Sequence, residues 1–243
     1  MLFTKPIDLQ KSPALHSFRQ TILNKAASIL AENEPELLAG QINIDPSSSG
    51  YPDPYNRATW LQQTLFVLAA AAYLDPQNTR LTQACLQIWR APLDWDRWQP
   101  PGWHWQKTRD ELPEKGDGES ISTASIITML TLCEPFLQEW LTTEDRSRMR
   151  GRVAEHCARI EDDIYTGRSW FFGGPEGEDI PVGSQFTAVV SSLLSGAISI
   201  GKSDSRSAQW RSLATDLLIR SMKETSEDGS YFEGVGEALP AYV

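Results

Sequence analysis

Apolar residues return every three or four positions along most of this chain and almost nowhere at every second position. That period puts them on one side of an α-helix, and each such stripe has to be covered by another helix. In SPALHSFRQTILNKAASILAEN the stripe is Leu15, Phe18, Ile22, Ala26, Ile29 and Leu30, behind a Ser12-Pro13 start that suits a cap and first turn. A second helix is expected from about Arg57 to Tyr73. It is apolar nearly all round from Phe66 to Ala72, which predicts burial, and DPQN then turns the chain back into Thr79 to Trp89. Two further helices, Ser120 to Leu141 and Thr143 to about Asp163, meet at Thr142 and Asp145, which are spaced to cap the second reciprocally. SQFTAVVSSLLSGAISIG and SDSRSAQWRSLATDLLIRSMKET give a last pair. The expectation is an all-α protein: a leading helix and loop over residues 1–55, then stacked αα-hairpins, all within one domain spanning 1–243.

Between the hairpins lie two irregular stretches. APLDWDRWQPPGWHWQKTRDELPEKGDG is rich in proline and glycine, and YTGRSWFFGGPEGEDIPVG is the second. Long connections of this kind in a compact helical domain carry function. They fall at alternate connections, which predicts that both sit at one end of the stack. The chain has nine tryptophans, and five fall between Trp89 and Trp105. DWDRWQPPGWHWQ interleaves Trp95, Trp98, Trp103 and Trp105 with Asp94, Asp96, Arg97, His104 and Gln106. Flat indoles beside hydrogen-bonding groups suit a sugar ring, whose C–H face packs on the indole while its hydroxyls pair. The same tryptophans could instead fasten a long loop to the helices. Trp170, with Phe171 and Phe172, admits the same two readings.

The formal net charge of −10 argues against nucleic acid and against an anionic membrane surface as partners. The longest uninterrupted apolar run, Leu65 to Leu74, is too short to span a bilayer, and MLFTKPIDLQ lacks a signal-peptide core. That fits a cytoplasmic protein or the mature form of an exported one. Cys85, Cys133 and Cys157 are odd in number and widely spaced, as buried thiols are, and match neither a disulfide framework nor a zinc site. His16 and His156 fall in amphipathic helices and read as scaffold. No phosphate-binding glycine pattern is present, so no metal or cofactor is expected.

After the last helix comes EDGSYFEGVGEALPAYV. DGSYFEGVG resembles the DGSY-x-EG-x-x-Y turn in the toroid domain of heparinase II/III-like polysaccharide lyases and their alginate-lyase relatives. Other segments follow in the family's order: NRATWLQQTLFVLAAAAYLDPQNTRLTQACLQIW, then SISTASIITMLTLCEPFLQEWLTTEDRSRMRGRV with its turn at Leu141 to Arg146, then SQFTAVVSSLLSGAISIG. The resemblance runs from about Asn56 to Gly236. It implies an incomplete (α/α) toroid, the N-terminal part of a longer architecture, and β-elimination at a uronic acid. On this basis Gln185 neutralises the substrate carboxylate, Tyr231 or His104 transfers the proton, and Trp103, Trp105, Trp170, Arg109 and Glu233 bind substrate. Arg97, Lys107, Arg109 and Arg168 would make the cleft locally basic.

Two departures from the family are plain. Gln185 stands where relatives carry Asn or His, and Glu237 stands where they carry the tyrosine. They leave room for a non-catalytic glycan-binding or scaffold module of the same fold. A third possibility is an (α/α)-barrel glycoside hydrolase working through a carboxylate pair drawn from Asp94, Asp96, Glu176, Glu178, Asp179 and Glu233.

Overall fold

The computed structural model describes residues 13–38, 53–95, 98, 121–166 and 184–223. A leading helix, α1 (Pro13–Leu38), precedes three helical pairs. These are α2 (Asp53–Leu74) with α3 (Thr79–Arg90), α4 (Ile121–Leu137) with α5 (Thr143–Thr166), and α6 (Ser184–Ile200) with α7 (Ser207–Lys223). No strand occurs among the described residues, so the all-α expectation holds.

The first members of the pairs form a row: α2 packs along α4, and α4 along α6. The second members flank that row, with α3 on α2, α5 on α6 and α7 on α6, while α1 covers α2 and α3. Composition explains the arrangement. α4, ISTASIITMLTLCEPFL, holds one charged residue, and every side chain from Ser122 to Ile127 is buried. A helix apolar all round has to be enclosed on several sides. The charged helix α5, by contrast, buries only a stripe that includes Met149, Val153, Cys157 and Ile160.

Each contact in the row has a local cause. The indole N–H of Trp89 on α3 donates to the Leu130 carbonyl of α4 at 3.0 Å. Glu134, the single charge on α4, accepts from Arg150 of α5 at 3.4 Å and from the Ser199 hydroxyl of α6 at 3.2 Å. Glu161 of α5 accepts from the Trp210 indole of α7 at 2.8 Å. Gly196 of α6 lies where α4, α5 and α6 converge. A Cβ there would come within 2.6 Å of Cys157 Sγ, 3.0 Å of a Val153 methyl and 3.4 Å of an Ile127 methyl. After α6 the chain turns at Gly201, whose φ of 54° is the left-handed conformation that glycine adopts freely at a helix end.

Several boundaries differ from expectation. α2 begins at Asp53, because Pro54 fits a first turn and needs no N–H partner there. α4 stops at Leu137 and not Leu141: the N–H groups of Trp140 and Leu141 both turn back to the Leu137 carbonyl, and the Arg146 guanidinium binds the carbonyls of Gln138 and Leu141 in the turn. α5 continues to Thr166. Phe18 is 60% exposed and lies outside the packed stripe of α1, whose buried side centres on Ala26. One window, Phe186–Ser203, reaches the length and mean hydropathy (1.2) of a membrane span by composition, as the core helix of a bundle also does; half of it is buried among the neighbouring helices. Interleaved serines hide it from a search for unbroken apolar runs.

One side of the row is partly open to solvent. Positions 63, 66, 70 and 73 on α2, 128, 132, 135 and 136 on α4, and 191, 194, 195 and 198 on α6 are exposed or half-exposed. None is charged.

Replacing Gly196 with Ala is expected to lower stability by about 1–3 kcal/mol, the usual cost of overpacking a close contact. Urea unfolding of the variant checks this, and an unchanged midpoint would show that α5 can shift freely.

Candidate functional site

Short connections at residues 75–78, 138–142 and 201–206 join the two helices within each pair, while the two long ones, 96–120 and 167–183, join one pair to the next. The last turn of α3 lies beside the start of α5, where Arg90 meets Asp145; α4 and α6 both begin at the opposite end of the row. The buried hydroxyls of Ser122, Thr123 and Ser125 on α4, and Thr187 on α6, mark that end from within.

The start of the tryptophan-rich segment is held firmly. After α3 a short 3-10 turn, Ala91–Asp94, leads into Trp95. Trp98 is fully buried. Its indole N–H donates to the Pro92 carbonyl at 2.8 Å, and its ring stacks on His156 of α5 at 3.9 Å between centroids, 11° from parallel. Arg152 of α5 places its guanidinium 5.4 Å from the Trp98 ring centre, donates to the Trp95 carbonyl at 2.6 Å and pairs with Glu155 at 2.6 Å. Arg148 pairs with Asp94. Both arginines of this pair of contacts lie one turn apart on α5, and the sequence signal for them is the alternation in SRMRGRV: two of its arginines point to the tryptophan segment while Arg146 and Arg150 serve the α4 side. Trp98 and His156 are therefore structural, which decides the fastening-or-binding question for Trp98 in favour of fastening.

The α4–α5 corner carries the strongest electrostatics. Thr142 N–H donates to Asp145 Oδ2, and Asp145 N–H to the Thr142 hydroxyl, both at 3.0 Å, which is the reciprocal cap expected from sequence. Arg90 of α3 grips the same carboxylate with two bonds, 2.9 and 2.7 Å. The Arg90 hydrogen bond, with the Thr142 donors, holds the Asp145 carboxyl down from 3.8 to about 2. This clamp fixes where α3 ends and hence where the long connection departs. At α3, burial pushes the Cys85 thiol up to about 12, and it raises Cys133 likewise. All three cysteines are buried free thiols.

Gln185 is the second residue of α6, at the end where both long connections arrive. His104, Trp103, Trp105 and Arg109 lie in 96–120, Trp170 in 167–183, and Tyr231 and Glu233 beyond Lys223; all are outside the described residues, as are Arg97, Lys107, Arg168 and Glu237. Of the carboxylates considered for hydrolysis only Asp94 is described, and its side chain is 72% exposed and paired with Arg148. That is the setting of a solvated surface ion pair. Among the described residues no cluster of three or more His, Cys, Asp or Glu could hold a metal ion.

In comparison with known proteins, no family model matches the chain, and neither a curated protein nor a solved structure matches it.

Two expected outcomes follow from the anchoring contacts. Trp98→Ala should cost about 3–5 kcal/mol, as loss of a buried indole does; a melting temperature equal to wild type would show the segment is held elsewhere. Asp145→Asn should cost about 1–2 kcal/mol near neutral pH. Because the folded pKa lies below 3.8, the carboxylate's contribution is complete above about 4 and fades as pH falls toward 2. The gap between wild type and Asp145→Asn in denaturant titrations should therefore close over that window. A gap independent of pH would mean the charge contributes nothing.

Proposed function

We propose that the three helical pairs are a segment of an (α/α) toroid and that the protein is polysaccharide lyase-like, acting by β-elimination on uronic-acid-containing glycans. The observation that carries the proposal is the arrival of both long aromatic- and glycine-rich connections at one end of the helix row, next to the start of α6, where Gln185 stands. The DGSYFEGVG segment supports the same reading through its family resemblance.

The chemistry requires three things of this end. A donor must offset the uronate carboxylate so that the C5 proton becomes acidic. The side-chain amide of Gln185 can supply N–H bonds to that carboxylate and to the charge that grows on it as the proton leaves. A base must take the C5 proton, and an acid must return one to the departing glycosidic oxygen; Tyr231 or His104 is proposed for the proton transfer. Trp103, Trp105 and Trp170 would stack the sugar rings, with Arg109 and Glu233 fixing orientation. The C4–O bond breaks, the C4–C5 double bond forms and the proton is transferred, so neither metal nor redox cofactor is needed for balance.

A second reading, a glycan-binding module without catalysis, is favoured by Glu237 at the position of the family's tyrosine. A carboxylate there is ionised at neutral pH unless strongly desolvated, and so cannot serve as the acid.

Ultraviolet absorbance of the unsaturated uronate separates the two. Mixed with a panel of uronate polysaccharides, the protein is expected to raise absorbance, and Gln185→Ala to lower the rate by about 10²–10³. Glycan retention with no absorbance rise would replace the lyase reading by the binding module. Neither rise nor retention would remove both.

A further inference from the structure

The partly open side of the α2–α4–α6 row is uncharged in a chain of net charge −10. Three exposed large apolar residues stand on it: Tyr73 at 41%, Leu132 at 46% and Ile198 at 59%. Two contacts set the relative heights of the helices. The rings of Tyr73 and Phe136 meet edge to face at 5.7 Å, and Ser199 bonds Glu134 at 3.2 Å. These heights put Ala70 of α2 level with Ile198 of α6, and Gln63 level with Ser191. Across the face, then, a small residue on one flank stands level with a large one on the other.

We propose that this face pairs with its own copy in a weak, reversible homodimer. A two-fold axis lying in the face along α4 exchanges the flanks, so that α2 of one protomer meets α6 of the other. Ile198 then enters the space above Ala70, Ser191 faces Gln63, and Leu132 meets its own symmetry mate on the axis. The pairing is isologous and closed, so it stops at two. Charge selects the same occupant. The charged residues of this acidic chain repel a second copy everywhere except where none are present, whereas a charged partner would find nothing on this face to pair with. Ten residues of helix at 1.5 Å per residue, across three helices 8–10 Å apart, give roughly 400–500 Å² per copy. That total falls short of a standard stable interface and matches a transient one. The face lies toward the C-terminal halves of the three helices, away from the end where the long connections arrive, so pairing and the proposed glycan site are independent.

Sedimentation velocity over micromolar to submillimolar concentrations tests this. The mass should climb from 27.2 kDa toward twice that value. Ile198→Glu should weaken association by about tenfold or more, whereas Ile219→Glu on the outside of α7 should not. Leu132→Cys, oxidised with a small disulfide such as oxidised glutathione, should cross-link to its mate, each new S–S bond releasing two protons and passing two electrons to the oxidant. The native thiols are buried and do not compete. All these positions are exposed, so folding is not at stake. A constant monomer mass with no Leu132→Cys cross-link would overturn the proposal, as would association that survives Ile198→Glu.

Discussion

The rest of the structure depends on the enclosure of α4. Its seventeen residues carry a single charge, Glu134, and that charge sits where Arg150 of α5 and Ser199 of α6 both reach it. A helix of this composition is not stable alone in water. It acquires a place only when α2, α3, α5 and α6 surround it, and those four arrive from both sides of it in sequence. The row is thus a consequence of one helix that has to be hidden. Gly196 lets α6 come close enough to complete the enclosure. The indole of Trp89 fixes the height of α3 against α4 through a backbone carbonyl rather than through shape alone.

Enclosure also separates the two ends of the molecule. Within pairs the connections are short and capped: Asn78 accepts from Leu81 N–H at the start of α3, and Thr142 with Asp145 opens α5. Between pairs the connections are long, and the first contacts of the one that follows α3 are well fixed. Arg90, Asp145, Trp98, Arg152 and His156 together make the departure point of the first long segment as well packed as the core. A segment that leaves from a rigid base is held in place from its first residues.

Much of this was legible in the sequence, and the limits have physical reasons. The order of helices, their pairing and the Thr142–Asp145 cap follow from period and spacing, which are local properties. Helix ends were less legible, because they involve partners beyond the local period: past Leu137, Arg146 on the next helix binds the carbonyls of Gln138 and Leu141 in the turn. Burial of Trp98 was not legible either. An indole that binds sugar and one that stacks on a buried imidazole look alike in a string of letters, and only the position of His156 one helix later distinguishes them. Phe18 had the spacing of a core residue but lies on the solvent side, since α1 contacts only two helices and buries a narrow stripe. The candidate site itself rests mainly on residues beyond those described, so Gln185 at the start of α6 is where sequence and structure meet.

The roles of the two faces of the row follow from the same economy of charge. At the end where α4 and α6 begin, the row buries the hydroxyls of Ser122, Thr123, Ser125 and Thr187. On the exposed side of its C-terminal halves it presents leucine, isoleucine, proline and three aromatic residues, with no charge among the positions named above. An anionic glycan would gain nothing at the second face and would leave its carboxylates without partners there. The proposed glycan site and the proposed pairing face thus call on different chemistry. A ligand that bound the apolar face, or a self-association that blocked the connection end, would contradict the charge pattern from which both assignments are drawn.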